Sequence, residues 1–339
     1  MSNDRPLRLA VLGVGRIGSM HADLLQHQVE GAEVACVYDV ATAVAAATAA
    51  RLGCDAAATV EEIMADDEID AVAIASSTDT HVDLLVAAAA ARKAIFCEKP
   101  VSLSLEEVDR GLAAVAAAGV PLHIGFNRRF DAGHRAVRDA VADGTLGRLR
   151  QVRITSRDPE PPPISYVEVS GGIFNDMTIH DFDMARFVTG QEVTQVYAQG
   201  AVTVDPAIGA AGDLDTVSIM LTHEDGTITM IDNCRQAAYG YDQRVEAFGA
   251  LGVSVSENHA DHYAVTRTAD GGRTARVPHF FLQRYIPSYL RQWEQFVAAV
   301  VDGTPTPVSG ADGRAPLVLA LAARRSVDEA RQVAVAEIG

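Results

Sequence analysis

Cysteine is scarce in this chain and scattered. Among 339 residues there are four, Cys36, Cys54, Cys97 and Cys234. None forms a C-x-x-C pair and no His/Cys cluster has zinc spacing, so neither a disulfide framework nor a metal site is expected. Free thiols of this kind point to a reducing, cytoplasmic compartment. Cations are also short: 28 Lys and Arg stand against 45 Asp and Glu, a formal net charge of −17. Nucleic acid and anionic membrane surfaces require a basic patch, so neither is the expected partner. No uncharged apolar run reaches the roughly 18 residues of a membrane span. The opening "MSNDRPLRLAVLG" lacks the layout of a signal peptide and enters a strand pattern directly.

What is present describes a globular chain: 48% hydrophobic and 22% charged residues. The length implies about two domains. The alanine runs at 45–47, 87–91 and 116–118 fall inside amphipathic patterns and read as helix filler.

Strand and helix patterns alternate through the first 125 residues. Short apolar runs at 7–13, 33–39, 70–76, 94–98 and 121–125 are separated by helical spacing at 16–27, 41–52, 59–66, 79–92 and 104–118. Such runs suit a parallel sheet covered on both faces, a doubly wound α/β architecture. After residue 126 the rhythm changes. A helix near 131–143 precedes a long strand at 148–158, a proline-rich loop "PEPPPIS" and a helix over 175–189. Residues 192–268 read as consecutive strands, with Asp225-Gly226 turning a hairpin. Helices over 284–302 and 311–335 close the chain. The expected division is residues 1–125 as a nucleotide-binding domain and 126–339 as an α/β domain with an open, mostly antiparallel sheet.

"GVGRIG" (Gly13 to Gly18) matches G-x-G-x-x-G between a strand and a helix, the context in which that motif binds a dinucleotide. Gly13 permits the tight turn, Gly15 the approach of a pyrophosphate, and Gly18 close helix–strand packing. Arg16 and Ile17, inside the motif, open the helix whose N-terminus faces the phosphates and belong to the same candidate set. Asp39 ends the second strand, 21 residues beyond Gly18. A carboxylate there accepts the adenosine ribose hydroxyls and repels a 2′-phosphate, which selects NAD over NADP. In "SSTDTH", Ser76 and Thr78 follow the next strand at the ligand-binding edge and are cofactor candidates. His81 is either a ligand contact or a surface histidine behind a cap made by Thr78 or Asp79.

"CEKP" places Glu98 and Lys99 at the same sheet edge, with Pro100 a candidate for a cis bond. Lys99 is a candidate acid/base or electrostatic group; a surface Glu–Lys pair is the plainer reading. In "SGGIFNDMTIHDFDMARFV", Asp176 and His180 lie one helical turn apart, about 40° around the axis. An imidazole there has the intrinsic pKa, about 6.5, to take a proton from a hydroxyl near neutrality. Alternatively, Asp176 simply favours a helix N-terminus and His180 is a partnered core residue.

Together, G-x-G-x-x-G, E-K-P and D-x-x-x-H, in this order and spacing, resemble the Gfo/Idh/MocA family of dehydrogenases. "GFNRRFD" (125–131), the stretch 156–188 and "NCRQAAYGYDQRVEAFG" (233–249) resemble its inositol-oxidising branch, and the likeness covers essentially the whole chain. It implies a Rossmann domain plus an α/β domain, assembled as homotetramers through the open sheets. It implies a catalytic trio of Lys99, Asp176 and His180, with His180 the base, Asp176 orienting it or holding substrate, and Lys99 binding the reacting oxygen. Arg129 and Tyr239 would contact the polyol, Asn127 the cofactor or the polyol, and Glu98 and Lys99 the cofactor. The implied reaction is oxidation of myo-inositol to 2-keto-myo-inositol with NAD. Asp158 reads as an exposed loop residue and Asp183 as a structural hydrogen-bonding group. Scyllo- or chiro-inositol or a pyranose is the alternative substrate, and a non-catalytic NAD sensor is the alternative of another class.

Overall fold

The computed structural model describes residues 5–339. Contacts divide it into two units: the chain up to Asn127 with Tyr289–Ala315, and Arg128–Ser288 with Pro316–Gly339. The first break lies two residues past the boundary expected at 125. Tyr289–Ala315, which the pattern assigned to the second domain, belongs to the first unit. Its helical period shows that one face is apolar but not which sheet covers it; here Trp293 stacks on Phe96 with ring centroids 4.1 Å apart.

The first unit is a six-stranded parallel sheet, β1 (Leu7–Leu12), β2 (Ala32–Tyr38), β3 (Asp55–Ala56), β4 (Ala71–Ile74), β5 (Ala94–Cys97) and β6 (Leu122–Ile124), in the order 3-2-1-4-5-6. Helices α1 (Arg16–His27), α2 (Thr42–Leu52), α3 (Val60–Ala65), α4 (His81–Ala90) and α5 (Leu105–Ala118) make the crossovers. Val11, Leu12, Val72, Ile74, Ile95 and Phe96 are wholly buried, as strands covered on both faces require. The strand order reverses between β1 and β4, so a crevice opens at their C-terminal ends, the usual ligand position in such sheets. That crevice falls at Gly13 and Ser76.

The second unit opens with α6 (Ala132–Ala142), β7 (Leu149–Arg157), the short α7 (Ile164–Val167) and α8 (Ile179–Thr189). There follow β8 (Val193–Ala201), α9 (Pro206–Ala210), β9 (Thr216–His223), β10 (Ile228–Cys234), β11 (Asp242–Gly249), β12 (Val253–Ser256) and a small hairpin of β13 (Thr266–Thr268) and β14 (Gly271–Arg273). Helices α10 (Phe281–Asp302) and α11 (Gly310–Glu329) each contribute to both units, and β15 (Val333–Ala334) ends the sheet. The seven-stranded order is 12-11-7-10-9-8-15, with β7 and β10 the only parallel neighbours among the described residues. One face is packed by α6, α8 and α11 through Val137, Met184, Val188 and Leu319 onto Val152, Ile154, Leu221 and Val245. Truncating Leu221 to alanine in such a core costs about 2–5 kcal/mol. The other face carries Met220, Phe248, Val253 and Val255, all exposed.

Three local expectations change. The helix expected to run to 335 stops at Glu329, because Ala330 takes φ 51° and Val333–Ala334 pair with β8. The run of strands from 192 is interrupted by α9, which Asp205 caps through its carboxylate on the Ala207 amide, with Pro206 in the first turn. The helix expected over 175–189 begins as a π turn, Phe174–Thr178, before α8. The hairpin at Asp225-Gly226 forms as expected, with Gly226 at φ 86° and Asp225 accepting the Thr227 amide at 2.9 Å.

Candidate active site

In the first unit the nucleotide loop is built by contact. Gly13 has φ +87°, and a Cβ there would stand 2.5 Å from Ser76 Cα. A Cβ at Gly18 would stand 1.8 Å from the Gly13 carbonyl oxygen. Both positions therefore exclude any side chain. At Gly15 the opposite holds: a Cβ would meet nothing within 4 Å, and no side chain caps the helix that starts at Arg16 and Ile17. Bare amide groups at a helix head beside open space fit a pyrophosphate. The Asp39 carboxylate is pinned beside the loop by the amides of Val14 and Ala41, each at 2.9 Å. Each of its oxygens keeps a second lone pair, which suits ribose hydroxyls. No lysine or arginine stands among Val40, Ala41 and Thr42 to receive a 2′-phosphate.

Beyond β4, Ser76 Oγ lies 2.7 Å from Thr80 Oγ1, and Thr78 opens a 3-10 turn. His81 is neither a surface residue nor the follower of a cap. It is buried, with Nδ1 2.9 Å from the Pro100 carbonyl and Nε2 3.1 Å from the Ser76 carbonyl. Burial lowers its pKa, and the two carbonyls act against that shift. His81 thus ties the Ser76 segment to the E-K-P turn. Its apolar neighbours on α4 gave no hint that the ring turns inward. The Lys99–Pro100 bond is cis. Glu98 is buried, one oxygen 2.8 Å from His21 Nε2 and the other accepting the Lys99 amide at 3.2 Å.

In the second unit, "GG" lets a carboxylate approach the chain: a Cβ on Gly172, at φ +80°, would lie 2.7 Å from Asp213 Oδ1. That oxygen accepts the Ile173 amide at 2.9 Å. Asp176 then sits in the π turn and His180 in the first turn of α8, both partly buried. The wider winding shifts this pair from the spacing of an ideal helix. Asp176 Oδ2 accepts from Arg235 Nη1 at 2.7 Å, and Oδ1 accepts from Tyr166 at 2.9 Å. Arg235 is 2% exposed and also faces Asp213 at 3.8 Å and Asp158 at 4.0 Å. Asp158 is therefore not a free loop residue. Burial pushes its pKa up to about 6, opposed by Arg235 and reinforced by Asp176.

Next to His180, Asp181 is wholly buried and accepts from Arg128 at 2.8 Å, Ser156 at 2.7 Å and Asn233 at 2.7 Å. Asp183 accepts from Arg129 Nε and Nη2 at 2.9 and 2.6 Å. The adjacent arginines of "NRRF" thus clamp two carboxylates of α8 on either side of Phe182. Asn127 is buried at the start of the same 3-10 turn. Tyr239 is half exposed, donating to Asp242 at 2.5 Å and accepting from Arg157 at 3.1 Å.

Arg235, Asn233, Tyr166 and Asp213 were not singled out from the sequence. A signal existed for the first two. Residues alternate along a strand, and Ile231, Asn233 and Arg235 share the buried face. A cation at an inward position demands an anion. Among the described residues, no cluster of His, Cys, Asp and Glu is arranged to hold a metal ion.

Residues 7–126 match the family model described as "Oxidoreductase family, NAD-binding Rossmann fold", and residues 134–255 match "GFO/IDH/MocA C-terminal domain". The chain is 45% identical to the myo-inositol 2-dehydrogenase of Thermotoga maritima, over 98% of this chain and 99% of that protein. It is 46% identical to the inositol 2-dehydrogenase of Rhizobium meliloti, over 97% and 99%. Among solved structures, it superposes with a TM-score of 0.91 on scyllo-inositol dehydrogenase from Lactobacillus casei with bound NAD(H) and scyllo-inositol. That match is 26% identical and covers 98% of this chain and 100% of the other.

Proposed function

The chain belongs to the Gfo/Idh/MocA family, oxidoreductases with an NAD-binding Rossmann fold, and on that premise we propose that it oxidises myo-inositol to 2-keto-myo-inositol. The observation that carries this reading is the end-to-end identity of 45 and 46% to two inositol 2-dehydrogenases.

Gly13, Gly15, Arg16, Ile17, Gly18 and Asp39 would hold NAD, with Ser76, Thr78 and Glu98 along the same sheet edge. Bound NAD supplies the hydride acceptor. His180 takes the proton of the hydroxyl being oxidised, general-base catalysis worth roughly 10²–10⁴-fold. Asp176 orients that imidazole or holds a neighbouring hydroxyl, and Arg235 holds its carboxylate in place at 2.7 Å. Lys99 lowers the cost of negative charge developing on the reacting oxygen. Asn127, Arg129 and Tyr239 bind the remaining hydroxyls. His81 is assigned to the turn rather than to the cofactor, since both ring nitrogens face carbonyls.

The second reading is the same chemistry on scyllo-inositol, favoured by the fold match to a scyllo-inositol dehydrogenase. Inverting one hydroxyl changes one contact, so the residue types do not separate epimers. The deciding measurement is NADH formation with NAD and a panel of inositol isomers and hexoses. Turnover with myo-inositol supports the first reading; turnover with scyllo-inositol or a hexose alone replaces it. Tight NADH binding with no turnover on any polyol would establish a sensor instead. Assembly as a homotetramer through the open sheet face is part of the proposal, supported by the exposed Met220, Phe248, Val253 and Val255, and light scattering tests it. A cytoplasmic location is supported by the four free thiols.

A further inference from the structure

His21 lies on α1, the helix that the nucleotide loop opens, and is wholly buried. Phe96, Tyr289 and Trp293 meet its ring edge-on, with centroids 5.3, 5.4 and 5.4 Å away. Inside this apolar box both ring nitrogens are engaged. Trp293 Nε1 donates to Nδ1 at 2.9 Å, and Nε2 stands 2.8 Å from Glu98 Oε1. An indole N–H only donates, so Nδ1 accepts and the ring hydrogen sits on Nε2, directed at the carboxylate. Glu98 Oε2 in turn accepts the Lys99 amide at 3.2 Å. The wall behind the carboxylate is Gly125, where a Cβ would lie 2.9 Å from Glu98 Cδ and both its oxygens. Donation therefore runs from Trp293 through His21 to Glu98, and the main-chain amide of Lys99 donates to the same carboxylate from its other side.

We propose that His21 and Trp293 are positioning residues for Lys99: they fix the Glu98 carboxylate, which fixes the lysine's backbone, and so lock the E-K-P turn to the helix that follows the nucleotide loop. This deepens the function proposed above and rests on it for the role of Lys99. Ordinary core packing would need only the rings. The line of hydrogen bonds specifies a tautomer and a direction as well, and a buried network of this kind has to be fully satisfied to be tolerated.

The test uses full-length His21→Phe, His21→Gln and Trp293→Phe. Phenylalanine at 21 keeps a ring and removes both hydrogen bonds; glutamine restores a donor toward Glu98; Trp293→Phe keeps an aromatic on Phe96 and removes the indole donor. Two readouts are taken: steady-state kcat and KM with NAD and the best polyol, and hydrogen exchange of the Lys99 amide. For His21→Phe, kcat is expected to fall roughly 10–100-fold, the scale of a small misplacement of a reacting group. KM for NAD changes far less than kcat, and the Lys99 amide exchanges faster while β1 and β4 amides do not. His21→Gln recovers most of kcat. Trp293→Phe speeds Lys99 exchange as well, and it decides the matter if His21→Phe fails to fold. Wild-type exchange at Lys99 in Trp293→Phe, or a kcat loss that His21→Gln does not repair and that tracks loss of NAD binding, overturns the proposal in favour of a packing role. If the wild-type protein oxidises no polyol, the function proposed above fails by itself, and the exchange measurement still judges the relay.

Discussion

Arg235 Nη1 donates to Asp176 Oδ2 across 2.7 Å, from a guanidinium that is 2% exposed. Burial alone would lower the arginine's pKa, but Asp176, Asp158 and Asp213 keep it charged. The pair joins the end of β10 to the π turn ahead of α8, so strand and helix are held in register by one charge. Breaking a buried ion pair by deleting one partner leaves the rest uncompensated. Arg235→Met is expected to destabilise the protein by about 3–5 kcal/mol, read from urea unfolding. Arg235→Lys, which keeps the charge but not the planar fork, should fall between. A loss below about 0.5 kcal/mol, typical of a neutral surface change, would mean the three carboxylates do not depend on this residue.

His180→Ala should lower kcat for polyol oxidation by roughly 10²–10⁴-fold while leaving NAD affinity intact. The separation follows from placement: the nucleotide loop lies on the first unit and α8 on the second. Titration calorimetry with NADH, run beside the kinetics, gives both quantities. An undiminished rate at neutral pH removes His180 from the role of base.

Asp39→Ala should relax the preference for NAD over NADP. The wild-type carboxylate is fixed by two amides at 2.9 Å, so it cannot swing away from a 2′-phosphate. The ratio of kcat/KM for the two cofactors is the measure, and an unchanged ratio would mean that Asp39 does not face the ribose.

The nucleotide loop was legible because its requirements are local: a glycine at φ +87°, a glycine whose Cβ would strike a carbonyl, and a bare helix head are all written in consecutive residues. The hairpin at Asp225-Gly226 was legible for the same reason. Arg235 was not, since its partners Asp158, Asp176 and Asp213 are remote in sequence and converge only through the pairing of β10 with β7 and β9. The surface alternative for His81 and the exposed reading of Asp158 failed because exposure was inferred from local position, whereas tertiary packing buries the first and sets the second beside Arg235. The attachment of Tyr289–Ala315 to the first unit escaped because an amphipathic period carries no address.

Asp158 gives a pH test whose sign is fixed. Its folded-state pKa stands at about 6, above the ordinary value of 3.8, with burial the leading cause. The fold therefore favours the protonated carboxyl. That contribution is complete below pH 3.8 and is lost as pH rises through about 6. Asp158→Asn imitates the protonated form at every pH. Wild type and variant should differ little near pH 4, and the balance should then move toward the variant by about 1–3 kcal/mol between pH 4 and pH 7.5. Urea unfolding of both proteins across that range measures it. A shift toward the wild type would show that attraction to Arg235 outweighs the cost of burial, and that Asp158 is ionised near neutral pH.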